Sequence, residues 1–285
     1  MNFFPALAFA CLASTLSASG FPPAPFHTIY GTVRDEFGRQ IRVEGASVVL
    51  SRNGHEVLRQ VIAPGISPDF NYQIRLRMAM DRPGTRNYTD LIQRPGEAYT
   101  LAVRINDVTY LPIEIQRDGE VGKPGERVRI NLTLGQDSDG DGIPDAWKIS
   151  QLYAAGILPD ENGWPLHLLP PDGDFDGDGA SNYAEYIAGT YAMDPTDYLS
   201  LQMIESHPGH VVLGFFGILG KTYSLESSTD GRKWLPEAFS TVQPNAPDDG
   251  ILSPQAFLTA SATRVFLISA DTRSETKRLY RLVVR

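Results

Sequence analysis

Twelve residues past the middle of the chain, Asp174-Phe175-Asp176-Gly177-Asp178-Gly179-Ala180-Ser181-Asn182-Tyr183-Ala184-Glu185, set oxygen donors at regular intervals. Asp174, Asp176 and Asp178 stand at the first, third and fifth places, Gly179 at the sixth, Ala180 at the seventh, Asn182 at the ninth and Glu185 at the twelfth. Alternate carboxylates on a tight turn converge on one hard cation, and the glycine makes the sharp bend. The seventh residue offers a carbonyl oxygen, the ninth binds directly or through water, and the twelfth supplies both carboxylate oxygens. An all-oxygen set of this kind suits Ca2+. Upstream, Asp137, Asp139, Asp141, Gly142, Ile143 and Asp145 occupy the same places, but the twelfth is Lys148. An ammonium cannot ligate calcium and opposes it by charge, so this loop is expected to bind weakly unless a carboxylate from elsewhere completes it. Asp160, Glu161, Asp194 and Asp197 are the candidates. The competing reading of both loops is a solvated acidic linker.

Charge is divided in a way that favours the metal. The chain of 285 residues carries a formal net charge of -9, yet between Asp137 and Tyr198 there are thirteen acidic residues and one basic residue, Lys148. The flanks on either side are close to neutral. Carboxylates at this density repel one another unless water or a cation neutralises them, and they also repel nucleic acid and anionic lipid.

The elements that must hold these loops are short strands and short helices. Period-two runs separated by turn residues, at Ile29–Val33, Ala46–Leu50, Tyr72–Leu76, Tyr99–Val103 and Val128–Leu132, predict an antiparallel β-sandwich over residues 21–136. A helical run, Tyr183–Thr190, leaves the downstream loop. Further β-like runs at Tyr198–Met203, Val211–Phe216, Lys221–Glu226, Arg264–Ile268 and Leu279–Val284 predict a second sandwich over residues 198–285. The stretch from Ala63 to Gly96 is longer than a hairpin needs and reads as a solvated or ligand-binding loop.

Residues 1–20 contain no charge and run from Phe3, Phe4 and Leu7 to Ala18-Ser19-Gly20, which reads as a signal peptide cleaved before Phe21. The alternative is lipidation at Cys11, the chain's one cysteine. With cleavage after Gly20 the mature chain has no thiol for disulfides or thiolate metal sites, and bound calcium can serve as its staple instead.

Five resemblances follow from these residues. The order of a Gly31-Thr32-Val33 strand, an Asp35-Glu36-Phe37-Gly38 turn and Gly45-Ala46-Ser47-Val48 resembles the carboxypeptidase regulatory-like, transthyretin-like family, whose modules are structural or binding accessories. The downstream loop resembles the EF-hand calcium loop. The string from Asp137 to Trp147 resembles the thrombospondin type 3 calcium repeat, and the pair of loops resembles the EF-hand-like dockerin arrangement; the upstream copy departs from these at Lys148. Gly220–Asp230 through Trp234, with Leu279–Val284, resembles fibronectin-type-III-like C-terminal domains of secreted bacterial proteins.

Other chemistry has little support. His207 and His210 form a close pair that reads as a polar turn rather than a zinc site, and the chain has no G-x-S-x-G elbow, no H-E-x-x-H and no phosphate-binding glycine loop. Trp147, Trp164 and Trp234 read as packing residues. The expected fold class is mainly β: a signal peptide at 1–20, two β-sandwich domains at 21–136 and 198–285, and a small helical EF-hand-like calcium-binding segment at 137–197 between them. The expected function is a secreted, monomeric binding or scaffold protein, not an enzyme, in the extracellular space, cell envelope or periplasm. Ca2+ would rigidify its middle, an unknown protein or glycan would be its ligand, and it would have no nucleic acid partner and no transmembrane segment. An extracellular hydrolase or its accessory fragment, and a dockerin-like assembly module, remain the alternatives.

Overall fold

The computed structural model describes residues 24–63, 67, 69–79, 92–115, 119–242, 254–272 and 278–284. The expected signal peptide with Cys11 lies outside them, as does the centre of the expected long loop, residues 80–91. The described chain is mainly β, with several sheets and a small helical segment.

The N-terminal part contributes β1 (His27–Gly31), β2 (Val33–Arg34), β3 (Ser47–Arg52), β4 (His55–Val61), β5 (Tyr72–Met78), β6 (Ile92–Gln93), β7 (Ala98–Ile105), β8 (Val108–Tyr110), β9 (Gly119–Glu120), β10 (Arg127–Arg129) and β11 (Leu132–Thr133). One sheet runs β10-β1-β5-β6, the other β4-β3-β7-β8 with β9 also on β7. Period-two patterning drives the packing. In β5, Tyr72, Ile74, Leu76 and Met78 are buried while Arg75 and Arg77 are exposed. Ile29, Ile74 and Leu76 of the first sheet share a core with Val48, Leu50, Leu101 and Val103 of the second. The hairpin β3–β4 turns through Asn53 and Gly54, both at positive φ, a pair whose twist suits a two-residue hairpin loop.

From β11, paired in parallel with β2, the chain enters the acidic segment. Helices α1 (Asp145–Ala154) and α2 (Asn182–Ala188) each begin at the end of one acidic loop. Ile143, Trp147, Leu152, Leu169, Tyr186 and Ala192 bury between them, and the Trp147 and Tyr186 rings meet edge to face at 5.6 Å. Ser181 caps α2 by accepting from the Ala184 amide, and Gly189 ends it at φ 84°.

The C-terminal part contributes β12 (Gln202–His207), β13 (His210–Gly217), β14 (Thr222–Ser228), β15 (Leu235–Glu237), β16 (Phe239–Val242), β17 (Leu258–Thr259), β18 (Arg264–Asp271) and β19 (Leu279–Val284). Its sheets run β12-β13-β18-β16 and β15-β14-β17, with β19 also on β14. Leu213, Phe215, Phe266 and Ile268 of one sheet bury against Tyr223 and Leu225 of the other. The strand expected from Tyr198 begins only at Gln202. Leu199 and Leu201 pack against this core from irregular chain instead, held behind turns in which Asp197 accepts from the Tyr191 amide. No helix among the described residues is long and apolar enough to cross a membrane.

One side chain joins all three parts. Lys221, at the start of the C-terminal sheets, is buried, and its ammonium donates to the Phe37 carbonyl at 3.2 Å and the Tyr186 carbonyl at 3.1 Å. Gly38 is required beside it: its φ is 73°, and a Cβ there would stand 2.5 Å from Nζ. Nearby, Gln40 donates to the Thr222 hydroxyl at 2.7 Å.

Candidate metal centre

The two acidic loops have nearly the same backbone. In the first, Asp137 Oδ1 accepts from the Gly140 and Asp141 amides and Oδ2 from Gly142. In the second, Asp174 Oδ1 accepts from Gly177 and Oδ2 from Gly179. At the fifth place, Asp141 Oδ1 accepts from Ile143 and Asp178 Oδ1 from Ala180. The sixth-place glycines, Gly142 and Gly179, have φ of 89° and 100°, which a side chain would strain. Each turn therefore fixes its first-place aspartate through both oxygens and its fifth-place aspartate through one, by bonds to its own amides. Oxygens of Asp137, Asp139 and Asp145 lie within 4.8 Å of one another, as do those of Asp174, Asp176 and Asp178, so either cluster could hold a metal ion.

The remaining oxygens distinguish the loops. In the second, Asp176 Oδ2, Asp178 Oδ2, Asn182 Oδ1 and both Glu185 oxygens are buried and have no hydrogen-bond partner. Glu185 is 1% exposed. A buried carboxylate without a donor is costly, and here burial first, then the facing Asp176, Asp178 and Asp174 charges, push its pKa up to about 8. Burial likewise raises the Asp176 carboxyl. These are the oxygens that a cation at the loop centre would take: two from aspartates, two from the twelfth-place glutamate. Asp178, Ala180 and Glu185 also line a cavity of about 560 Å3 that reaches Leu199 and Arg281.

In the first loop the same places are closed from within. Lys148 is 0% exposed, and its ammonium donates to Asp139 Oδ2 at 2.7 Å and Asp141 Oδ2 at 2.6 Å. Burial works against the charged amine, but its two carboxylates outweigh burial and raise its pKa. For Asp139 too, the bond and charge of Lys148 overcome burial and hold the carboxyl low. Asp145 Oδ1 accepts from the Ser138 amide.

No family model, curated protein or solved structure matches the chain. What the loops do must be read from their own atoms.

The structure brings together Asp174, Asp176, Asp178 and Glu185, with Asn182 buried beside them and Ala180 at the cavity wall. It brings Asp137, Asp139 and Asp145 together around the upstream turn, with Asp141 turned to Lys148 and Ile143 buried in the helical core. Of the four carboxylates put forward for the upstream twelfth place, three act elsewhere: the charges of Asp194 and Asp197 bear on Asp176 and Glu185, and Asp160 accepts from Asn162 in its own turn. Lys148, expected as a twelfth-place cation that cannot ligate and opposes calcium, lies buried with its ammonium on Asp139 and Asp141. The sequence placed it at the twelfth position, and that position was itself the signal. The imidazoles of His207 and His210 stack at 4.8 Å, and His207 Nε2 lies 2.9 Å from a Glu205 carboxylate oxygen.

Proposed function

We propose that the chain is an extracellular calcium-binding scaffold, in which one Ca2+ held by Asp174, Asp176, Asp178, the Ala180 carbonyl, Asn182 and Glu185 stiffens the middle segment between two β-domains. The observation that carries this reading is the set of buried oxygens without donors at the third, fifth and twelfth places. A divalent ion there satisfies them together and removes the repulsion that burial magnifies. Extracellular calcium is plentiful enough to keep such a site filled, and the uncharged apolar start of the chain agrees with export. The stiffening follows from α2, whose first turn carries Glu185 and whose Tyr186 carbonyl accepts from Lys221 of the C-terminal sheets.

Melting of the full chain, followed by the fluorescence of Trp147 and Trp164 in the middle core, tests this in millimolar calcium and in chelator. For a dissociation constant of about 10⁻⁵ M, calcium should add about 2.7 kcal/mol, and Glu185→Gln should close most of the gap. Identical wild-type melting in the two conditions would leave the loops as acidic turns and sink the proposal.

A further inference from the structure

We infer that the first loop carries its own permanent cation, the Lys148 ammonium, in the place where the second loop takes calcium, so that the chain binds one calcium ion through a pair of loops of which one is already complete. This rests on the reading of the second loop as a calcium site. The correspondence is atom for atom. Asp139 Oδ2 and Asp141 Oδ2, at the third and fifth places, accept from Lys148; Asp176 Oδ2 and Asp178 Oδ2, at the same places of the second loop, are buried without a donor. The twelfth residue supplies the difference in both cases. Glu185 adds two more buried acceptors to its loop, whereas Lys148 adds the positive charge that its loop needs. No oxygen of the first loop is buried without a partner among the described residues. In the cluster of Asp137, Asp139 and Asp145, an incoming ion would compete with the Lys148 ammonium already bonded to Asp139.

The consequence is an order of assembly. A lysine is tethered to its loop and needs no ion from solution, so the first loop and α1 can close in chelator, and Trp147 on α1 then presents a fixed face to Tyr186 on α2. Calcium is left to complete the second half alone.

Counting ions tests the inference. Native mass spectrometry of the full chain, stripped with chelator and returned to saturating calcium, should give one calcium for the wild type, none for Glu185→Gln and two for Lys148→Glu, which restores the missing ligand. Two ions on the wild type, one on Glu185→Gln, or one on Lys148→Glu would overturn the inference and leave the second-loop site standing; none on the wild type would overturn the second-loop reading itself. Should Lys148→Glu fail to fold, acetylation of the wild-type amines decides. Lys148 should resist the reagent in chelator and in calcium alike, while the exposed Lys123 and Lys233 react in both. Reaction of Lys148 in chelator, or on addition of calcium, would mean that its ammonium does not hold the loop.

Discussion

The two acidic loops share a backbone, a set of amide-to-aspartate bonds and a sixth-place glycine, yet one is neutralised by its own lysine and the other gathers buried oxygens with no donor. At the twelfth place one loop has a lysine and the other a glutamate, and at the ninth one has an aspartate and the other an asparagine. Both helices close their last turn on local backbone bonds, the Ala155 amide on the Gln151 carbonyl and the Gly189 amide on the Glu185 carbonyl, and α2 is held in addition by Lys221 on the Tyr186 carbonyl. The loop with the unpartnered buried oxygens thus leads into the helix tied to the C-terminal sheets, while α1 of the other loop sets Trp147 against Tyr186. The lesson is that a repeated motif need not mean a repeated function: one copy can supply the scaffold on which the other works.

The harshest way to break this comparison is to remove the wall. Trp147→Ala should cost about 3–5 kcal/mol, the usual loss for a large aromatic in a packed core. It should also weaken calcium at the second loop, although Trp147 belongs to the first half, because Tyr186 follows Glu185 directly in α2. Chemical denaturation gives the first quantity and a calcium titration the second; unchanged calcium affinity would show that the halves are independent.

Lys221 gives a smaller effect with a definite pH signature. Burial, then the charge of Arg34, push its ammonium down to about 7 from an ordinary 10.5. Between about pH 7 and 10 the unfolded chain keeps this proton and the folded chain does not, so unfolding takes up a proton and stability rises with pH across that window. Lys221→Met should abolish that part of the slope. It should cost about 1–3 kcal/mol at the alkaline end, where the Phe37 and Tyr186 carbonyls lose a donor. Stability curves for both proteins from pH 6 to 10 check this, and parallel curves would mean that the amine stays charged in the fold.

The smallest effect tests the sameness of the turns. Gly142→Ala and Gly179→Ala each place a Cβ in open space, so the cost is backbone strain alone, about 1–2 kcal/mol at such φ values. Equal losses in chelator would confirm that the two turns share one geometry, and a large difference would show that the aspartate bonds deceive.

Much of the β structure was legible because its cause is local. The alternation in β5 and the apolar ending of β19 show directly in the residues, and Leu279–Val284 is a strand as read. Strand β4 was passed over although Asn53-Gly54 marks its hairpin, since His55–Val61 is largely exposed and lacks an apolar face. The strand read from Tyr198 was placed too early: Leu199 and Leu201 are apolar in alternation, but they fill the edge of a core without pairing.

By itself the sequence determined the loops, because the donor residues of each lie within twelve positions and the first- and fifth-place aspartates are aimed by bonds to neighbouring amides. It determined equally that one loop ends in a carboxylate and the other in an amine. Where that amine goes was decided only by the tertiary structure, since burial of the Lys148 stem depends on how α1 packs against α2. So too was the meeting of Phe37, Tyr186 and Lys221, residues up to 184 apart in the chain. Nothing local can announce such a contact. It exists because three units, each folding on its own pattern of apolar residues, leave two backbone carbonyls where one lysine can reach both.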